Sequence, residues 1–170
     1  MTIHRSAMTA LATRPAHELT FTDYTFEAYG FRTRRHHIEY GDDSVVFVDI
    51  GQPPRQPKPH DLDLMGHKKT RLRSSLETVN ITWRSMDGAK HKTRIDLAQI
   101  FKDRRIHHNV RPDDVWHGER IRPPTIILIV DDRDVRLYMK AMIPLRERSD
   151  PKNPYTTYRR EATKVASLTF

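Results

Sequence analysis

The stretch LETVNITWRSMDGAKHKTRIDL, residues 76–97, decides how this chain is read. Val79, Ile81 and Trp83 alternate with Asn80, Thr82 and Arg84, the period-2 pattern of a strand with one buried face. Asp87-Gly88 supplies the turn, because the tight turn of a two-stranded hairpin needs positive φ and glycine reaches it without steric cost. Residues 91–97 return as the partner strand, with Thr93, Ile95 and Leu97 on the apolar side and Lys92, Arg94 and Asp96 on the other. Asp96 followed three residues later by Gln99 matches a capping box. Leu97, Ile100, Phe101 and Arg104 then fall at helical spacing, which predicts a short helix over 97–107.

Beyond an irregular stretch, 108–124, in which Trp116 is the natural anchor to a core, comes TIILIVDDRDVRLYMKAMI, residues 125–143. The unbroken apolar run of residues 126–130 marks a strand covered on both faces. Asp131, Asp132, Arg133 and Asp134 make a polar turn. The returning strand points Val135, Leu137, Met139, Ala141 and Ile143 inward and Arg136, Tyr138 and Lys140 outward. The order over 76–145 is therefore strand-strand-helix-strand-strand. It predicts an α+β fold, a mostly antiparallel sheet with one short helix packed on it. In element order alone this resembles the ubiquitin-like β-grasp.

Toward the N-terminus, residues 37–40 and 45–50 flank the turn-forming Gly41-Asp42-Asp43-Ser44 and read as a β-hairpin preceding that core. This hairpin is the expected cover for the second face of residues 125–130. Five segments follow: an arm at 1–17 without periodicity, a hairpin region at 18–52, a Pro-rich or polar linker or loop at 53–75, the α+β core at 76–145, and a basic tail at 146–170. Four prolines in residues 51–59 exclude a helix interior or a central strand there. In the tail, residues 155–165 are expected to form a short helix.

The chain has 170 residues, enough for one modest core, and no cysteine. A disulfide framework, a thiol nucleophile, an iron–sulfur cluster and a Cys-ligated zinc are thereby excluded. No apolar run approaches the ~20 residues of a membrane span, and the N-terminus lacks the apolar stretch of a signal peptide. The expected address is cytoplasmic, with no membrane contact. The formal net charge is +8, from 30 Lys and Arg against 22 Asp and Glu. Residues 1–60 are neutral, with seven of each sign, so the entire excess lies in 61–170. Such asymmetry points to a polyanionic or acidic partner.

If Val79, Ile81, Trp83, Ile95, Leu137 and Met139 face one core, Arg84, Lys92, Arg94, Arg136, Tyr138 and Lys140 share the opposite face of the sheet. Cations that meet phosphates, with an aromatic among them, suit nucleic acid, and the same cations suit an acidic protein surface. A merely solvated sheet face has a similar pattern. Two other groupings carry chemistry. His107, His108, Asp113, Asp114 and His117 are close in sequence and of metal-ligating type. Asp131 and Asp134 with Lys140 imitate the carboxylates and lysine of a metal-dependent phosphodiesterase. Adjacent histidines at a helix end and a polar turn account for the same residues without metal.

No Gly-rich phosphate loop, G-x-S-x-G or H-E-x-x-H occurs, so no catalytic residue, metal ligand or cofactor is assigned. The sequence thus predicts a non-enzymatic basic protein that contacts nucleic acid or an acidic protein, as an accessory subunit or inhibitor in a larger multi-protein complex. The alternative is a small metal-dependent phosphodiesterase or nuclease using the 107–117 loop or the 131–134 turn. That alternative requires at least three such groups to converge in one pocket.

Overall fold

The computed structural model describes residues 18–41, 45–48, 54–68 and 70–170, residues 45–48 through their backbone alone. The predicted arm at 1–17, the hairpin turn at 42–44, the end of the predicted hairpin strand at 49–50 and the start of the proline-rich stretch at 51–53 lie outside the described residues. Among the described residues there are eight strands: β1 Thr25–Phe31, β2 Arg34–Tyr40, β3 Val45–Val48, β4 Thr78–Arg84, β5 Lys90–Asp96, β6 Thr125–Asp131, β7 Asp134–Pro144 and β8 Tyr158–Thr169. Helix, among the described residues, is confined to one turn at α1, Asp61–Leu64, one at α2, Leu97–Ile100, and a 3-10 turn at Pro112–Asp114.

The strands form two sheets, not one. Sheet I has the order β1-β6-β7-β8, with β1 parallel to β6 and the other pairs antiparallel. Sheet II has the order β3-β2-β4-β5 and is antiparallel throughout. Both contribute to a single core: Phe26, Ile126, Leu128, Leu137 and Met139 from sheet I meet Ile38, Tyr40, Val79, Ile81 and Trp83 from sheet II. Two sheets with alternating apolar faces bury them by stacking. At one end, the Trp83 indole donates to the carbonyl of Asp132 at 2.7 Å. The Met86 amide donates to the Asp132 carboxylate at 2.8 Å, and Arg133 pairs with Asp87. The β4–β5 and β6–β7 turns are thereby joined across the sandwich.

This arrangement corrects the expected fold class. The two hairpins of residues 76–143 do not form one sheet under a helix; each belongs to a different sheet, and their apolar faces oppose one another. The alternation of side chains defines a buried face but not what that face is packed against. The predicted helix over 97–107 is realised for one turn only. Asp96 does accept from the Gln99 amide at 3.1 Å, and Leu97 and Phe101 are fully buried. Beyond Phe101 the backbone is drawn into β-type contacts with the chain around Leu19. The Phe21 amide donates to the Arg104 carbonyl and the Ile106 amide to the Leu19 carbonyl, at 3.0 and 2.8 Å. No helix packed on a sheet results.

Residues 155–165, expected as a helix in a tail, contribute instead to β8, which pairs with β7 from Asp134↔Thr169 to Pro144↔Tyr158. A register shift near Leu137 breaks the period in this strand. The strands of the N-terminal hairpin join sheet II through the β2–β4 pairing, with β3 at the edge.

Strand β6 is buried along its full length, but the hairpin is not its outer cover. Residues 54–68 cross the outer face of sheet I as a strap, placing Met65 and Leu62 against Phe31, Ile127, Ile129, Tyr29 and Tyr138. Two buried charges hold the strap by its backbone. Glu27, with no exposed surface, accepts from the amides of Gly66 and Lys68 at 2.8 and 3.0 Å and from the Tyr29 hydroxyl at 2.5 Å. The Lys140 ammonium donates to the carbonyls of Leu62, Asp63 and Met65 at 3.1, 2.7 and 2.8 Å. Buried charges persist only where hydrogen bonds replace their hydration. Among the described residues no helix is long and apolar enough to cross a membrane.

Candidate functional site

The core faces of the two sheets oppose each other, so their outer faces lie on opposite sides of the molecule. The six residues read as one cationic face are therefore divided. Arg84, Lys92 and Arg94 are on sheet II; Arg136, Tyr138 and Lys140 are on sheet I. Lys140 is 5% exposed and committed to the strap carbonyls. Burial, followed by the nearby Arg160, pushes its ammonium below the usual lysine range. Tyr138 packs beneath the strap. Arg136 is half-buried and donates to Asp131 at 3.0 Å and Asp134 at 3.2 Å. None of these three offers a free cation or an open ring to a partner.

The outer face of sheet II is different. Residues that pair across strands point to the same side, so the register sets out the face in rows. Glu39, Asn80 and Arg94 form one; His37, Thr82 and Lys92 the next; Arg34, Arg84 and Lys90 the third. Between Arg34 and His37 the register shifts, and Arg35 takes φ 51°. Bulges of this kind re-aim a side chain. Here Arg35 joins Arg84, Lys90 and Lys92 around a shallow depression of about 330 Å³. Among the described residues none of Arg34, Arg35, Arg84, Lys90, Lys92 and Arg94 is ion-paired. Arg84 and Arg94 make only long contacts, to the Gly88 carbonyl at 3.4 Å and the Thr78 hydroxyl at 3.3 Å. Of the acids in these strands, Glu39 is held by His37 at 2.7 Å and Asp96 caps α2.

Arg34, Arg35 and Lys90 are thus additions to the sequence reading. Lys90 has the same strand parity as Lys92 and Arg94, so its place is legible from the alternation. Arg34 and Arg35 reach this face through the long-range β2–β4 pairing and a bulge, for which the local pattern carries no signal. No described side chain on the face is a Phe, Tyr or Trp; its described ring is the His37 imidazole, held by Glu39. Trp83 borders the depression but is 2% exposed and stacked on His91 with ring centroids 5.0 Å apart.

The residues of the alternative reading are otherwise engaged. Asp131, 2% exposed, accepts from Arg32 at 2.6 and 2.8 Å and from Arg136. Asp134 accepts from the Thr169 hydroxyl at 2.7 Å, the first cause holding its carboxyl below the usual range, with Arg136 adding to it. His108 accepts from the Val110 amide at 3.2 Å, and burial lowers its pKa. Asp114 faces Arg111 at 3.8 Å, and His117 lies at a separate depression beside residues 18–23. Among the described residues no three His, Asp or Glu side chains are grouped to hold a metal ion. No protein-family model, curated protein or solved structure matches the chain.

Proposed function

We propose that this protein is a non-enzymatic binding protein that engages a polyanion, nucleic acid or an acidic protein surface, through the outer face of sheet II. It would act as an accessory subunit or inhibitor in a larger assembly, and a cysteine-free chain suits a cytoplasmic setting. One observation carries the reading. Arg84, Lys90, Lys92 and Arg94 stand side by side with no carboxylate partner among the described residues, whereas Arg32, Arg105, Arg133 and Arg136 elsewhere are paired. Clustered like charges repel and gain nothing for the fold; an anionic partner turns that repulsion into affinity.

The test is retention on immobilised heparin, a sulfated polyanion. The Arg84→Glu/Lys92→Glu double variant is compared with Arg148→Glu/Lys152→Glu, which changes net charge equally at exposed positions outside the face. The face variant is expected to elute at markedly lower salt with an unchanged melting temperature, and the control close to the parent. Equal shifts in both would mean that net charge alone drives retention, and the reading would be lost.

A further inference from the structure

We infer that the partner of this face is the sugar–phosphate backbone of a nucleic-acid duplex, bound without regard to base sequence. This rests on the reading above and narrows it by what the face lacks as well as what it carries. A stable protein–protein contact needs an apolar or aromatic centre, with charges relegated to its rim. Among the described side chains the middle of the face, Thr82 between His37 and Lys92, is polar, with the cations Arg84, Lys90 and Arg94 and the polar Asn80 beside it. Among the described side chains no exposed large apolar residue lies within a strand of sheet II; Met86 is in the turn after β4, and Phe170 packs edge-on against Trp83. Single-stranded nucleic acid is gripped by stacking bases on exposed rings, and among the described residues the face carries no Phe, Tyr or Trp; its imidazole, His37, is held by Glu39 at 2.7 Å. A duplex hides its bases in grooves and offers phosphates outward, so a cationic face without large aromatic side chains among its described residues fits its exterior.

The spacing agrees. Successive outward residues of a strand are about 6.7 Å apart, so Lys90, Lys92 and Arg94 span ~13 Å. A duplex carries about eight phosphates over that length on its two strands. Arg34, Arg35 and Arg84 widen the row to six cations, a charge density comparable with that of the backbone opposite. Arginine adds bidentate geometry to these contacts. If the contacts are to phosphates, affinity should come from counterion release and be steeply dependent on salt.

The experiment is a fluorescence-anisotropy titration of the full chain with four probes: two 30-base-pair DNA duplexes of unrelated sequence, a single strand of the same length, and polyglutamate. Each is measured from 50 to 300 mM salt. Both duplexes should bind alike, and more tightly than the single strand. The slope of log K against log salt should be about −5 if all six cations engage. Arg84→Ala/Lys92→Ala should flatten the slope by nearly two units, and each removed charge should weaken binding roughly five- to tenfold near 0.1 M salt. Tighter binding to the single strand, discrimination between the duplexes, or an unchanged slope in the variant would overturn the inference. If polyglutamate binds and the variant loses it while duplex does not bind, the polyanion reading stands and the duplex is the wrong partner. If no probe binds at 50 mM salt, both fail.

Discussion

Lys140 shows how far a single position can depart from what its neighbours in sequence suggest. Alternation along 135–143 correctly turns its side chain away from the main core, but outward is not the same as exposed. The segment that covers it lies more than seventy residues earlier, in a stretch whose prolines and scattered leucines give no local sign of packing. Its ammonium gathers three strap carbonyls, so substitution by an apolar residue of similar length takes a donor from each. Among the described residues only the Leu62 carbonyl then keeps a backbone donor, the Met65 amide at 3.3 Å. Lys140→Met is expected to destabilise the protein by about 2–4 kcal/mol, measured by denaturant unfolding. An unchanged midpoint would show that Leu62 and Met65 hold the strap by apolar contact alone. Arg84, Lys92 and Arg94 illustrate the opposite case. Their parity against Val79, Ile81 and Ile95 is a local property, and the structure keeps them on one open face.

For the elements, hairpin and turn chemistry was the legible part. Gly88, at φ 86°, closes β4 onto β5, and Asp96 caps the helical turn after it. Sheet membership was not legible, because β4–β5 and β6–β7 display the same alternation whether they lie side by side or face to face. β8 is the clearest loss. Its sequence, YRREATKVASLT, has few apolar residues, and a register shift at its middle interrupts the period. It occupies the edge of sheet I, where Arg159, Arg160 and Lys164 discourage further strand addition. A tail could be removed without effect; a strand that covers β7 could not. Truncation after residue 157 is expected to abolish cooperative thermal unfolding and drive the product into aggregates, read by circular dichroism and light scattering. A truncated chain with the parental melting curve would show that β8 contributes nothing to the folded state.

At the scale of the whole molecule, the sandwich has one side that is cationic and uncovered among the described residues and one side closed by a strap, and its stability is tied to pH through groups spread over both. The folded state lowers the pKa of His108 by burial. It lowers those of Asp61, Asp87 and Asp134, chiefly through the Lys58 amide, the Ser85 hydroxyl and the Thr169 hydroxyl respectively. In each case the unfolded chain binds protons more readily, so stability rises with pH and is lost on acidification. The melting temperature is expected to fall in two stages. The first begins below the ordinary histidine value of 6.5. The second begins below the ordinary carboxylate value of 3.8 and continues through the lowered folded values. A flat profile between pH 7 and 3 would contradict this.

The parallel pairing of β1 with β6 has a different consequence, one of time. Thr25 lies in register with Thr125, so a hundred residues must be added before β1 meets its neighbour. At 5–20 residues per second, translation takes about 5–20 s to supply them. Throughout that interval a nascent chain carries Phe26 and Ala28 with no sheet to enter, although β2, β4 and β5 can already pair. Sheet II can be assembled before β6 has been made, and sheet I cannot.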